Sequence, residues 1–244
     1  MMRALILGIA ALLLTAAGLA DVVPRVKPSV VGITTVQTGR GLAAQLAGTG
    51  FVVADGRHVI TNNHVVSAEV KTAYFVIVPT AAGVDRRVAR LVEADPVHDL
   101  ALLAIEGAPL PAVRLDTNDM AEEGTDIAIT GFPISSALGL VRATQRGIVA
   151  AVTPNVSAGP HSSVLDAKLI LTPRYEVYQL DLVAYPGNSG SPLYRASDGE
   201  VIGILNSGFV KTTKEKVLSD PSGISFAIPA KHILPLLARA GLRP

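Results

Sequence analysis

The chain has 244 residues, 49% hydrophobic and 17% charged, with a formal net charge of +1 at pH 7. Such a composition excludes a disordered polymer, and scattered Lys and Arg leave no basic stripe for a nucleic acid. The absence of cysteine excludes thiol nucleophiles, thiolate zinc sites and a disulfide framework.

In chain order, Met1-Met2-Arg3 is a short positive segment, Ala4 to Leu14 an apolar run, and Ala16-Ala17-Gly18-Leu19-Ala20 a small-residue zone. The apolar run is shorter than the roughly 20 residues of a spanning helix, so residues 1–20 read as a secretory signal cut after Ala20. An uncleaved anchor is the competing reading. From residue 28 the pattern changes to short β-branched runs broken by turn residues. Expected strands are Val30–Val36, Gly50–Val53, His58–Thr61, Ala73–Val78, Arg87–Val92 and Leu100–Ile105. Asp55-Gly56 marks a hairpin, because both residue types tolerate the positive φ of a tight turn.

The stretch 107–124 is polar and proline-bearing and reads as a connector. A second set of strands is expected at Asp126–Thr130, Gly147–Val152, Val177–Leu182, Pro192–Tyr194, Val201–Leu205 and Ile224–Ile228. Residues 153–165 read as an exposed loop, and Lys211, Lys214 and Lys216 as a solvated one. Pro229–Ala240 reads as a helix with Ile233, Leu236 and Leu237 on one face, although Pro235 disfavours a regular one.

Three segments carry chemistry. Tyr185-Pro-Gly-Asn-Ser-Gly-Ser-Pro-Leu193 offers a serine in a glycine-bounded turn. A hydroxyl attacks well only when a base takes its proton and donors receive the oxyanion, and Gly187 lets the backbone fold sharply beside Ser189. Thr61-Asn-Asn-His-Val-Val66 supplies a histidine after an apolar strand, and His98-Asp-Leu-Ala-Leu-Leu103 an aspartate at the head of another. Each alone is more often structural; together they bring the residues of a triad in the order His, Asp, Ser. The lipase elbow needs a second glycine where Ser191 stands, and esterases use a different order.

These segments resemble those of trypsin-like serine proteases. Gly48-Thr-Gly-Phe-Val-Val53, Gly147-Ile-Val-Ala-Ala151 and Gly223-Ile-Ser-Phe-Ala-Ile-Pro229 extend the resemblance to the bacterial HtrA/Deg branch, over roughly residues 28–235. The resemblance implies an all-β fold of two six-stranded antiparallel β-barrels with a short C-terminal helix. The first barrel would span about 28–106, the second about 125–228, and the helix about 229–240. It implies Ser189 as nucleophile, His64 as general base, Asp99 as orienter, and the N–H groups of Gly187 and Ser189 as oxyanion donors. Val183 and Ala184 would sit at the specificity pocket, with Leu205, Asn206, Ser207 and Gly208 forming a wall that pairs with extended substrate.

An apolar pocket base disfavours Lys or Arg, so cleavage is expected after small or medium apolar residues, unless Asp181 enters the pocket. His98 is expected to face away from Asp99, as successive strand residues do. Trypsins that need activation carry an aspartate before the nucleophile, paired with a new N-terminal ammonium; Asn188 has no charge to pair, which implies no such switch. Ser191 stands where the family usually has a second glycine. No cofactor, metal or C-terminal PDZ module is expected. Expected partners are peptide or unfolded protein substrates, in the periplasm or outside the cell. The rival reading is a binding module on the same fold that lacks activity.

Overall fold

The computed structural model describes residues 18–37, 45–66, 72–116, 118, 120–134, 139–155, 173–206 and 223–244. Twelve strands make two closed antiparallel barrels. The first comprises β1 (Val30–Gln37), β2 (Gln45–Val53), β3 (His58–Asn62), β4 (Thr72–Thr80), β5 (Gly83–Asp95) and β6 (Leu100–Ile105), in the spatial order β1-β2-β3-β6-β5-β4. The second comprises β7 (Asp126–Gly131), β8 (Ala143–Pro154), β9 (Glu176–Asp181), β10 (Pro192–Arg195), β11 (Val201–Asn206) and β12 (Ile224–Pro229), in the order β10-β11-β12-β9-β8-β7. Closure removes the unpaired edges that an open sheet would expose.

The strands coincide with the apolar runs, but several extend further. β5 starts at Gly83 because Val84, Arg86, Val88 and Arg90 alternate on its exposed face while its backbone pairs with β4. Polar residues on an outer face cost little there, so hydrophobicity alone underestimates the strand. β8 reaches Pro154, inside the stretch expected to be a loop; residues 156–165 of that loop lie outside the described residues, as do Lys211, Lys214 and Lys216.

Two helical segments differ from expectation. Leu19–Val26 forms α1, with Val22 and Val26 buried, so the expected leader boundary after Ala20 falls inside a helix. The Asp21 carboxylate accepts the Gly18 N–H at 3.1 Å, satisfying one donor at the start of that helix. At the C-terminus, Pro229 closes β12, Ala230–His232 is a 3₁₀ turn, and the α-helix proper is short. A four-residue helix at the end of β3, Asn63–Val66, is α2, and Ile233–Arg239 is α3. Pro235 is tolerated in α3 because it sits in the first turn, where its missing N–H would have no helical acceptor.

Among the described residues, three apolar clusters hold the molecule together. Val31, Ile33, Val59, Val76 and Leu103 fill the first barrel, and Ile127, Val149, Tyr178, Leu180 and Leu205 the second. A third lies between them: Phe51, Ile60, Leu100 and Leu102 meet Tyr194, Val201, Ile204 and Ile228, with α1 and α3 packed on the seam. The connector runs along this seam. Its Val113 N–H donates to Val52 O at 3.0 Å, and its Asp116 N–H to Val201 O at 2.9 Å. The Arg195 guanidinium at the end of β10 joins it through Asp116, Asp198 and Glu200. The two barrels are thereby held in one register, which matters because the candidate site draws on both.

Candidate active site

His64 arrives from the first barrel on α2. Val65 and Val66 bury into the barrel, so the helix turns His64 outward, its side chain 42% exposed. Asp99 lies in the turn before β6 with a φ of +50°, a left-handed conformation that aspartate tolerates better than most residues. That backbone lets one residue hold the whole segment opposite. The Asp99 carbonyl accepts the Asn63 N–H at 3.0 Å and Asn62 Nδ2 at 3.2 Å, while Oδ1 accepts the His64 backbone N–H at 2.8 Å. Oδ2 lies 2.6 Å from His64 Nδ1. A carboxylate only accepts, so Nδ1 carries the proton, and in the neutral ring Nε2 keeps its lone pair.

The second barrel reaches the same carboxylate. Asn206, at the end of β11 and 2% exposed, donates from Nδ2 to Asp99 Oδ2 at 2.8 Å. Leu205, immediately before it, turns its side chain into the barrel core. Its carbonyl accepts the Gly190 N–H at 3.0 Å and its N–H donates to Ser191 O at 2.9 Å. Leu205 therefore supports the serine turn with its backbone. Asn206 likewise orients Asp99 with its side chain; Ser207 and Gly208 lie outside the described residues.

The serine turn is built on Tyr185-Pro186-Gly187-Asn188. The Asn188 N–H donates to Tyr185 O at 3.0 Å, and Gly187 has a φ of +99°: a type II turn with proline and glycine in their favoured places. The Pro186 carbonyl accepts the Ile134 N–H at 2.8 Å. The C=O and N–H of a trans peptide point in opposite directions, so the Gly187 N–H faces away from Ile134. A Cβ at Gly187 would collide with the Phe132 carbonyl, and one at Gly190 (φ +87°) with the Thr49 carbonyl.

Thr49 of β2 fastens this turn to the first barrel. Its N–H donates to Ser189 O at 2.8 Å and its hydroxyl to Gly187 O at 2.7 Å, while its carbonyl accepts the Thr61 hydroxyl at 2.7 Å. Gly48 next to it passes between the Val65 side chain and the Ser189 carbonyl. The structure thus brings His64, Asp99 and the Ser189 turn together at the barrel seam. Thr49 was visible beforehand only as part of the Gly48–Val53 motif, with nothing to announce its hydrogen bonds.

Val183 and Ala184, between β9 and the serine turn, are half-buried, and Val183 O accepts Gln145 Nε2 at 3.0 Å. Asp181 is exposed, on the side of β9 opposite Leu180, which points into the barrel. His98 does leave Asp99, but through a turn over 96–99 and not through strand alternation. It bonds Asp95 at 2.8 Å and stacks on His232 at 4.0 Å, with Tyr175 at their edges. Burial pushes His232 down to about 4, helped by the neighbouring His98 and Lys231, and pushes Tyr175 up to about 12. Among the described residues no group of three or more His, Asp or Glu could hold a metal ion.

Two closed β-barrels with a His–Asp pair and a glycine-bounded serine at their seam define the class of chymotrypsin-like folds. The trypsin-like peptidase domain matches residues 48–204, and the chain belongs to that family. It is 33% identical over 196 residues to the "Probable periplasmic serine endoprotease DegP-like" of Ectopseudomonas mendocina, covering 80% of this chain and 35% of that protein. The namesake protein of Brucella suis biovar 1 is also 33% identical, with coverage of 80% and 33%. This chain therefore spans about a third of the length of these relatives. Among solved structures, the HtrA-type protease AlgW with tripeptide is 26% identical with a TM-score of 0.63, covering 92% of this chain and 63% of that one. The serine endoprotease from Yersinia pestis, at 24% identity and a TM-score of 0.63 with coverage of 92% and 66%, shares the fold.

Proposed function

We propose that this protein is an exported serine endopeptidase that cleaves peptides or unfolded proteins through an acyl-enzyme. Asp99 holds His64 in the tautomer that leaves Nε2 basic. His64 then takes the proton of the Ser189 hydroxyl as it attacks the scissile carbonyl, and returns it to the leaving amine. The N–H groups of Gly187 and Ser189 receive the oxyanion; one such donor is worth about 3–4 kcal/mol. The observation that carries this reading is the carboxylate of Asp99, which accepts His64 Nδ1 at 2.6 Å from one barrel and Asn206 Nδ2 at 2.8 Å from the other. The orientation of the Pro186–Gly187 peptide supports the oxyanion role.

Val183 and Ala184 favour a small or medium apolar side chain before the cut, and the exposure of Asp181 supports the absence of a preference for Lys or Arg. The periplasmic names of the relatives support export, with the leader removed after Ala20. A fluorophosphonate probe tests the chemistry: the wild type is labelled and Ser189→Ala is not. A folded wild type that resists the probe would refute hydrolysis and leave a peptide-binding module. A cleavage profile on a peptide library dominated by Lys or Arg would overturn the pocket assignment.

A further inference from the structure

Gln145 has no part in the chemistry above, yet it joins two pieces of it. It sits on β8 opposite Ile129, half-buried under the serine turn. Its Nε2 donates to Val183 O at 3.0 Å, and its Oε1 accepts Asn188 Nδ2 at 2.9 Å. We propose that Gln145 is a positioning residue, tying the wall of the specificity pocket to the turn that carries the nucleophile and oxyanion donors. The proposal rests on the protease reading.

The orientation of both amides follows from one backbone group. The Val183 carbonyl can only accept, so the Gln145 nitrogen must face it. That leaves the Gln145 oxygen toward Asn188, which must answer with its own nitrogen. Asn188 Oδ1 is consequently turned inward, buried and without a hydrogen-bond partner among the described residues. An unsatisfied buried acceptor costs roughly 1–3 kcal/mol, so the Asn188 amide holds this orientation against a penalty, and Gln145 opposes it. Asn188 lies between Gly187 and Ser189, and its N–H closes the type II turn. A shift of the Asn188 backbone would therefore move both oxyanion donors at once.

The same arrangement explains how the turn keeps its shape with an uncharged residue before the nucleophile. A carboxylate at 188 would set oxygen against oxygen at Gln145. The amide relay takes the place that an ion pair holds in proteases that need activation.

The test uses the full chain with a fluorogenic peptide substrate and the fluorophosphonate probe in parallel. Gln145→Leu keeps the volume and removes both hydrogen bonds. Its kcat should fall ten- to a hundredfold, the scale of a misplaced reacting group, with KM within about threefold. Introduced on an Asn188→Ala background, it should cause no further loss, since both variants cut the same link. Gln145→Glu supplies a readout that a merely structural role would not move. Its carboxylate repels Val183 O, but the protonated acid reproduces the donor and acceptor of glutamine, so its activity relative to wild type should rise as pH falls from about 7 to 5. A wild-type kcat in Gln145→Leu, full additivity with Asn188→Ala, or a flat pH ratio would overturn the proposal. If Gln145→Leu does not fold, the ratio for Gln145→Glu decides. A labelled wild type with an unimpaired Gln145→Leu removes only the positioning role, whereas an unlabelled wild type removes the protease reading itself.

Discussion

Asn206→Ala removes one of three N–H groups among the described residues that the Asp99 carboxylate accepts, the others being the His64 backbone N–H at 2.8 Å and Nδ1–H at 2.6 Å. Asn206 is 2% exposed and the Asp99 side chain 21%, so water replaces the lost donor poorly. A hydrogen bond to a charged acceptor is worth about 1.5–3 kcal/mol, which as a rate would be roughly ten- to a hundredfold. Because Asp99 keeps both contacts to His64, the lower half of that range applies. The loss should fall on kcat, since the carboxylate matters most when His64 becomes an imidazolium in the transition state. Asn206→Asp should be worse, because it sets a second carboxylate against the first. Steady-state kinetics with a peptide substrate, accompanied by a melting curve, measure both effects. A kcat/KM within twofold of wild type for Asn206→Ala, with the fold intact, would refute the idea that the second barrel helps to orient the His–Asp pair.

Other outcomes follow from the same contacts. Ser191 Oγ is buried without a partner among the described residues, so Ser191→Ala should stabilise the protein by up to about 1 kcal/mol, raising Tm by roughly 2–4 °C; a lower Tm would show that the hydroxyl is satisfied. Arg195→Leu leaves Asp116, whose side chain is 8% exposed, without its guanidinium. A loss of about 2–3 kcal/mol in urea unfolding is expected, below the fully buried value because Asp198 is solvated. His232 is held down at about 4 from 6.5, chiefly by burial, so the unfolded chain takes up a proton first on acidification. The stability this contributes is complete above pH 6.5 and is lost as pH falls toward about 4; solvent at the half-buried ring keeps it below the roughly 3 kcal/mol of a fully desolvated group. Unfolding of His232→Phe should lack that component, and an unchanged pH dependence in the variant would assign it elsewhere. Asp116 and Asp95 add a separate, more acidic loss. Burial alone would raise both, but the Asn118 N–H and Arg195 outweigh it at Asp116 and His98 at Asp95, so their contribution disappears only below the ordinary carboxylate range.

Much of the barrel architecture was legible because each strand buries one face. Leu100–Ile105 is uniformly apolar, and the observed strand has those same ends. β5 was read too short because its outer face is exposed, and only pairing with β4 and β6 makes it a strand. The helix α1 was hidden beside the leader-like run, since its Val22 and Val26 pack beside Gly199, more than a hundred residues away in sequence. His64, Asp99 and Ser189 could be singled out because their three segments occur together in the order His, Asp, Ser. Asn206 was noticed as a neighbour of the site, but nothing in its segment announced the bond to Asp99, and Gln145 and Ile134 carried no local signal at all.

What the sequence determined by itself was the set of strands, the order of the His, Asp and Ser segments and the flexible glycines around Ser189. Short-range sterics and hydrophobic alternation are written residue by residue, so they can be read without a partner. Tertiary structure alone decided that Thr49 clasps the serine turn, that Asn206 reaches Asp99, and that Gln145 joins Val183 to Asn188. Those bonds depend on the register of closed barrels and on the angle at which two barrels meet. A hydrogen bond that is sensitive to a few tenths of an ångström is set by the packing of the whole seam.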